Sequence, residues 1–289
     1  MSETPPEPEH FDLAAFVARA LAEDVGTGDI TAAATVPAEA RARARIVQKQ
    51  PGVVFGFEAA REVFAQVGAG ELDMLMVEGQ WRDAVPAGVA FITGPARALL
   101  AAERTALNLL GHLSGIATLT HAYVEAAREE STRVAILDTR KTTPGLRALE
   151  KAAVRAGGGR NHRMGLYDAF LIKENHVAMA GGVAPAVAAA RDASPGLPVE
   201  IECRNADEVA AALASGADRL LLDNMEPAAL AAAVAARDAA GSEATLEASG
   251  GVTLETVGAV AASGVDFISV GALTHSAPTL DLSMLLEPA

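Results

Sequence analysis

The residues LPVEIECRNADEVAAALASGADRLLLDN (197–224) contain an apolar run, a helical stretch and a second apolar run. The two runs, 197–201 and 218–222, have the length of buried strands, and the Ala-rich stretch between them has helical spacing. Similar runs occur before and after this segment: RVAIL (133–137), AFLI (169–172), ATLEA (244–248) and VDFISV (265–270). This repeated β-α alternation predicts a parallel sheet, and it favours a closed or nearly closed barrel over an open doubly wound sheet.

The first hundred residues lack this alternation and predict a separate, smaller domain. Apolar residues from Leu13 to Leu21 recur at helical spacing, and short strands are expected at 44–47, 52–56 and 89–94. A long helical region over 98–130 then leads into the second domain. The polar residues MSETPPEPEH (1–10) are predicted to form a solvated tail.

The acidic charge of the chain is unevenly distributed. Its formal net charge is −14, which argues against a protein that coats nucleic acid or an anionic membrane. Between Arg133 and Lys173, however, nine Lys or Arg accompany three Asp or Glu, so this segment carries +6 and the rest of the chain −20. An acidic protein with one basic segment is suited to bind a small polyanion at one place.

The cysteine content and the polarity of the longest uncharged stretch indicate the cellular compartment of the protein. The single cysteine, Cys203, cannot form an internal disulfide, and no basic-then-apolar leader opens the chain, so a cytoplasmic location is expected. The longest stretch without a formal charge, Thr105 to Val124, contains Asn, Ser, Thr and His residues. It is too polar to be a membrane span.

Polar residues follow each of the six apolar runs. In a parallel barrel the carboxyl ends of the strands share one rim, where active sites are built. A lone Asp or Lys at such a position is as often a loop residue that caps its strand, but six successive polar ends are not explained in that way. The segments are Asp138–Lys141, Lys173–His176, Glu202–Asn205, Asp223–Asn224, Ser249–Gly251 and Gly271–Ala272.

The acidic and glycine-rich ends indicate different kinds of binding. Ser249–Gly251 and Gly271–Ala272 are suited to bind a phosphate through exposed backbone N–H groups, although Gly-Gly is also an ordinary turn. Glu202 and Asp223 could hold a divalent cation, accept hydrogen bonds from sugar hydroxyls or act as an acid/base pair. No cluster of His or Cys suggests zinc, and Mg²⁺ held mainly through the phosphates of a substrate fits better.

The basic segment contains two groups of cations. Arg147, Lys151 and Arg155 recur at helical spacing and are expected to lie on a solvated helix face. Guanidinium groups suit carboxylates and ammonium groups suit phosphates, so the cations near the strand ends predict a substrate with several negative charges. These cations are Arg140, Lys141, His162, Arg163 and Lys173.

Residues 137–176, LDTRKTTPGLRALEKAAVRAGGGRNHRMGLYDAFLIKENH, closely resemble the quinolinate phosphoribosyltransferase family, whose members are also called nicotinate-nucleotide pyrophosphorylases (carboxylating). The resemblance extends over nearly the whole chain, through several motifs in the same order. These motifs are Glu103–Thr105, Leu107–Asn108, Ser114–Thr118, Glu200–Glu202, Leu222–Asn224, Glu247–Gly251 and Ser269–His275.

The resemblance implies an α/β fold with an N-terminal α/β sandwich-like domain and an incomplete parallel α/β barrel. The implied division is a tail at 1–10, a sandwich-like domain at 11–112, a catalytic barrel at 113–274 and a segment at 275–289 that returns to the N-terminal domain. A homodimer is also implied, in which Arg104 reaches into the active site of the neighbouring subunit.

The implied reaction transfers phosphoribosyl from 5-phosphoribosyl 1-diphosphate to quinolinate with decarboxylation. The products are nicotinate mononucleotide, pyrophosphate and CO₂, and the pathway is NAD biosynthesis. Quinolinate carries two carboxylates, and the ribosyl donor carries a 5-phosphate and a diphosphate. Such substrates would give the basic segment its function.

The resemblance also assigns roles to the residues of the barrel rim. Lys141, Lys173, Glu202 and Asp223 are the candidate catalytic residues, with Lys141 near the diphosphate, and Glu202 and Asp223 near the ribose hydroxyls and Mg²⁺. The quinolinate carboxylates would be held by Arg140, His162, Arg163 and Lys173, with Thr139 beside them. The 5-phosphate would be held by Ser249, Gly250, Gly251, Val270, Gly271 and Ala272, and His275 either assists there or is a structural histidine.

Three other functions are compatible with parts of the pattern. Lys173 at a strand end could form a Schiff base in an aldolase or lyase, provided that it is desolvated. The chain could also be a nicotinate-using phosphoribosyltransferase or a paralogue with another substrate, although one carboxylate needs fewer cations. A non-catalytic sensor of a phosphorylated ligand is the third alternative, and the Glu202/Asp223 pair argues against it.

Overall fold

The structure is a computed structural model that describes residues 11–289, so the predicted tail at 1–10 lies outside the described residues. Contacts within the chain divide it into two units. One unit comprises the described residues through Gly115 together with Thr279–Ala289, and the other comprises Ile116–Pro278. None of the helices among residues 11–289 combines the length and apolar character needed to cross a membrane.

The first unit contains an antiparallel sheet whose strands have one buried face. In β1 (Arg41–Gln48) three exposed arginines alternate with buried Ala42, Ala44 and Ile46, which is the period of two that a half-buried strand requires. The remaining strands of this part of the chain are β2 (Gly52–Val53), β3 (Leu72–Met74), β4 (Trp81–Arg82) and β5 (Ala87–Pro95). β1 pairs with β5 and β5 with β3, while β2 and β4 form a separate antiparallel pair.

Four helices accompany these strands. The first begins after Asp12, whose carboxylate accepts the N–H of Ala15 at 2.9 Å and thereby caps the helix. Asp29 caps the second helix in the same way, through the N–H of Ala32. The helices are α1 (Leu13–Val25), α2 (Ile30–Thr35), α3 (Phe57–Gln66) and α4 (Ala96–Arg128).

The second unit contains a parallel sheet made from the six predicted apolar runs. Its strands are β6 (Ala135–Leu137), β7 (Phe170–Ile172), β8 (Val199–Cys203), β9 (Arg219–Asp223), β10 (Thr245–Ser249) and β11 (Phe267–Ser269). Their order in the sheet is β6-β11-β10-β9-β8-β7, and every neighbouring pair is parallel. Among residues 11–289, β6 and β7 do not pair with each other, so the structure has the predicted incomplete barrel.

Helices connect these strands as the β-α alternation predicts. They are α5 (Arg147–Ala156), α6 (Glu174–Ala180), α7 (Val183–Ala193), α8 (Ala206–Ser215), α9 (Pro227–Ala239), α10 (Val257–Ala262) and α11 (Ala272–His275). The chain ends with β12 (Leu282–Pro288), which pairs antiparallel with β1 in the first unit.

The end of α5 leads back to the free edge of the sheet. After α5, Gly157–Gly159 forms a turn, and Arg160 then makes a parallel bridge with Leu137 of β6. The Arg160 N–H donates to the carbonyl of Ile136 at 2.8 Å. This bridge places the following residues, 161–163, beside the carboxyl end of β6, which is where the predicted site lies.

Candidate active site

A cavity of about 350 Å³, called here the substrate cavity, lies at the carboxyl ends of the barrel strands. Because parallel strands end at the same rim, residues that are far apart in the sequence meet there. The predicted site residues that line it are Thr139, Arg140, Lys141, His162, Arg163, Lys173, Glu202, Asp223 and Ser249.

A second cavity, of about 410 Å³, is called here the phosphate cavity. It shares Thr139, Lys141, Asp223, Ser249 and Ser269 with the substrate cavity, so the two have a common wall. The other predicted residues that line it are Gly250, Gly251, Val270, Gly271, Ala272 and His275. His275 therefore lines the phosphate cavity, and its Nδ1 is 2.7 Å from Ser276 Oγ.

Gly250 is required by the backbone of the phosphate cavity. Its φ is +98°, and a Cβ at this position would lie 2.3 Å from Asn224 Oδ1. Asn224 is held close because its N–H donates to the carbonyl of Ser249 at 2.8 Å. The glycine therefore allows two neighbouring strand ends to approach, and it leaves the turn open to a ligand.

Four cations border the substrate cavity: Arg140, Lys141, Arg163 and Lys173, called here the cationic rim. The Nε atom of Arg140 is buried and has no hydrogen-bond partner among the described residues. A carboxylate placed in the cavity would offer a partner to this atom. The pKa of Arg163 is lowered, first by burial and then by the positive charge of Arg140.

The environment of Lys173 bears on the kind of chemistry that the site can perform. Its side chain is 54% exposed, and its Nζ lies 3.6 Å from Glu202 Oε2. A Schiff-base lysine needs to be desolvated, so this environment argues against the aldolase or lyase alternative. The ammonium group is instead available to an anionic substrate.

Glu202 and Asp223 stand at the ends of the neighbouring strands β8 and β9. Glu202 is largely buried, and Asp223 accepts a hydrogen bond from Asn224 Nδ2 at 2.9 Å. Both carboxylates line the substrate cavity. Two carboxylates on one cavity offer oxygen atoms of the kind that Mg²⁺ prefers as ligands.

A buried ion pair holds the turn that contributes His162 and Arg163. The Asp138 and Lys151 side chains are both 0% exposed and bind each other directly. Asp138 Oδ1 also accepts the N–H of His162 at 2.9 Å, and Lys151 Nζ donates to the carbonyl of His162 at 3.1 Å. Burial raises the pKa of Asp138 and lowers that of Lys151, and in each case the opposite charge of the partner opposes the shift.

The ring of His162 faces two further buried acids. Its Nε2 lies 2.9 Å from Glu200 Oε2 and 3.4 Å from Glu247 Oε2. Burial alone would lower the pKa of His162, but contact with Glu200 and Glu247 raises it to about 9. Asp138, Lys151, His162, Glu200 and Glu247 are called here the buried polar network.

The sequence prediction for α5 is wrong at two of its three basic residues. Lys151 does not lie on a solvated face but is completely buried against Asp138. Arg147 is partly buried and donates to the carbonyls of Met164 and Arg140, at 3.0 and 3.4 Å. Helix periodicity identifies which residues share a face, but it does not show that loops of the site cover that face.

Glu200 and Glu247 were missed as site residues, although the sequence contains a signal for them. Each is a charged residue inside an apolar strand, LPVEI (197–201) and ATLEA (244–248). A charge at such a position has to be paired once the strand is buried. The partner, His162, comes from a turn that strand patterns do not locate.

Arg104 is the one predicted binding residue that belongs to the first unit. It lies on α4, its side chain is exposed, and it is not among the described residues that line the substrate cavity. The other predicted binding residues line one or both of the two cavities.

A barrel whose strand ends combine cations, paired carboxylates and glycine-rich turns defines an enzyme that acts on an anionic, phosphorylated substrate. Two family models match the chain: the quinolinate phosphoribosyl transferase N-terminal domain over residues 29–114 and the C-terminal domain over residues 116–285. The chain therefore belongs to the quinolinate phosphoribosyltransferase family.

Relatives of known name are similar over almost their full length. The nicotinate-nucleotide pyrophosphorylase [carboxylating] of Mycobacterium leprae is 45% identical, over 95% of this chain and 97% of that protein. A probable enzyme of the same name from Bacillus subtilis is 41% identical, over 95% and 93%. The solved structure of nicotinate-nucleotide pyrophosphorylase from Francisella tularensis is 40% identical, with a TM-score of 0.89 over 95% of this chain and 96% of that one.

Proposed function

We propose that this chain transfers the phosphoribosyl group of 5-phosphoribosyl 1-diphosphate to quinolinate with loss of CO₂, giving nicotinate mononucleotide and pyrophosphate for NAD biosynthesis. The observation that carries the proposal is the common wall of two cavities, one bordered by the cationic rim and the other by glycine-rich turns. A dianionic acid and a phosphorylated sugar fit these two surfaces. Membership of the family agrees with this assignment.

The cationic rim binds the quinolinate carboxylates. Arg140 and Arg163 offer guanidinium groups suited to carboxylates, and Lys173 contributes an exposed ammonium group. The buried Nε of Arg140 has no partner within residues 11–289, and it supports this role because it gains a partner when a carboxylate enters. His162 forms part of the same wall, beside Thr139.

The ribosyl donor occupies the wall that the two cavities share. Its 5-phosphate lies in the turns Ser249–Gly251 and Val270–Ala272, near His275, and Lys141 faces the diphosphate. Glu202 and Asp223 would hold Mg²⁺ together with substrate phosphates, and the bound ion would offset the charge of the leaving diphosphate. The same carboxylates accept hydrogen bonds from the ribose hydroxyls.

Charge stabilisation is the main contribution of these residues to the reaction. The pyridine nitrogen forms a bond to the anomeric carbon as the bond to diphosphate breaks, and Glu202 and Asp223 stabilise the positive charge on the ribose while Lys141 stabilises the leaving group. The bond to the carboxylate beside the nitrogen then breaks. Its electron pair stays on the ring carbon next to the cationic nitrogen, and a proton takes the place of CO₂.

The active form is a homodimer in which Arg104 of one subunit completes the site of the other. The exposed position of Arg104 on α4 is compatible with this role. Mixing Arg104→Ala chains with Lys173→Ala chains restores part of the activity if sites are shared. Verified heterodimers without restored activity would contradict the proposal that the two subunits share their active sites.

A cytoplasmic location is supported by Cys203, which is a buried free thiol and the only cysteine of the sequence.

The direct test is incubation of the purified chain with quinolinate, 5-phosphoribosyl 1-diphosphate and Mg²⁺. CO₂ and nicotinate mononucleotide are expected in equal amounts, and a chelator is expected to reduce the rate. A folded chain that releases neither product would overturn the proposal.

A further inference from the structure

Glu200 and Glu247 are two buried acids with no part in the reaction as proposed. They lie in β8 and β10, on either side of β9, and their residues are 4% and 0% exposed. Glu247 lines the substrate cavity together with the four cations of the cationic rim. Buried acids are costly to fold unless they are paired, so their position requires a reason.

His162 connects these acids to the cationic rim. Its Nε2 contacts Glu200 at 2.9 Å, and its Nδ1 accepts the backbone N–H of Arg163 at 2.8 Å. The N–H and carbonyl of His162 are bound by Asp138 and Lys151. Both ring nitrogens and both backbone groups of His162 are therefore engaged by other parts of the chain, and Arg163 follows directly in the sequence.

The position of Arg219 argues against a metal site formed by His162, Glu200 and Glu247. The ligand atoms of His162, Glu200 and Glu247 lie within 4.8 Å of one another, which is close enough to hold a metal ion. However, the Arg219 guanidinium lies 3.2 Å from Glu247 Oε2 and stacks on Phe267 at 4.2 Å, so a positive charge is already fixed there. This charge opposes a second cation at Glu247, so the cluster is better described as a network of paired charges than as a metal site.

We infer that Glu200 and Glu247 are positioning residues: they act through His162 to fix the backbone of Arg163 and hence the guanidinium that faces the substrate cavity. The inference rests on the proposed function, because it concerns the binding of quinolinate. The Arg163 side chain is fixed at its other end by donation from Nη1 to the carbonyl of Ala169 at 3.1 Å. Loss of the acids would release the His162 ring and the N–H that it holds.

The experiment compares Glu200→Gln and Glu200→Ala with Glu243→Gln, which makes the same acid-to-amide change at an exposed residue just before β10. The kcat/KM for quinolinate is expected to fall about 10- to 100-fold in Glu200→Ala, and less in Glu200→Gln, which keeps an amide of similar shape beside the His162 ring. The KM for the ribosyl donor should change less than about 2-fold. Glu243→Gln should match the wild-type chain.

A double-mutant cycle separates positioning through His162 from a general structural effect. If Glu200 acts through His162, adding Glu200→Ala to His162→Ala causes no further loss of kcat/KM for quinolinate. Additive losses, or equal losses for both substrates, would overturn the inference. If the Glu200→Ala chain does not fold, Glu200→Gln or Glu247→Gln replaces it in the double-mutant cycle with His162→Ala. A wild-type chain without activity contradicts the proposed function instead, so the two failures are distinguishable.

Discussion

Lys151 and Lys173 belong to the same basic segment but have opposite surroundings. Lys173 belongs to the cationic rim, and 54% of its side chain is exposed. Its Nζ lies 3.6 Å from Glu202 Oε2, which is longer than a direct hydrogen bond. Lys151 is 0% exposed and is fixed against Asp138 in the buried polar network. The basic segment therefore contains cations that are free to bind a ligand and cations that hold those ligand-binding residues in place.

The energetics of the two environments explain this division. A solvent-exposed ion pair contributes about 0–1 kcal/mol, so Lys173 can exchange Glu202 for a substrate anion at little cost. A buried pair is different, because removing one partner leaves an uncompensated charge in a poorly solvated place. The network can therefore hold the 161–163 turn rigid while the rim residues change partners.

The largest effect is expected when the buried pair is broken. Lys151→Met should lower the free energy of unfolding by about 3–5 kcal/mol, measured by urea denaturation, because Asp138 loses its counter-charge. Lys151→Met combined with Asp138→Asn should recover part of this loss, since the amide still accepts the N–H of His162. A loss below about 1 kcal/mol in the single variant would contradict the difference drawn between the two lysines.

The next effect concerns the rim and should leave stability almost unchanged. Arg140→Ala is expected to reduce kcat/KM for quinolinate about 10²- to 10³-fold, because a substrate carboxylate loses a charge-assisted hydrogen bond. Lys173→Ala should also reduce it, with little change in the urea midpoint. Near wild-type turnover in both variants would show that the cationic rim does not bind quinolinate.

The smallest effect is expected at an exposed ion-pair cluster. Arg204 contacts Glu174 and Glu208, but all three residues lie at the surface or close to it. Arg204→Gln should therefore change the free energy of unfolding by only about 0.2–1 kcal/mol in urea denaturation. If Arg204→Gln lowered the free energy of unfolding as much as Lys151→Met, burial would not explain the difference between the exposed and the buried ion pairs.

The strands and rim residues were predictable because they follow from local rules. Each apolar run overlaps one strand, and the polar residue after the run lies at the barrel rim, as Lys173 and Asp223 do. The glycines of the phosphate cavity follow the last two runs in the same way.

The network was not predictable, because its contacts join elements whose relative position only the fold decides. Lys151 has the spacing of a solvated helix residue, and only the packing of α5 against Asp138 and the 161–163 turn buries it. His162 meets Glu200 and Glu247 because Arg160 bridges to the free edge of β6. No periodic pattern in the sequence encodes either contact.

The most direct measurement is the ratio of kcat/KM for quinolinate to that for nicotinate, with 5-phosphoribosyl 1-diphosphate and Mg²⁺ present. A rim that binds two carboxylates should favour quinolinate by at least about 10³-fold, because the acid with one carboxylate leaves part of the cationic rim without a partner. A ratio near one, or preference for nicotinate, would contradict the assignment of the cationic rim to a dianionic substrate.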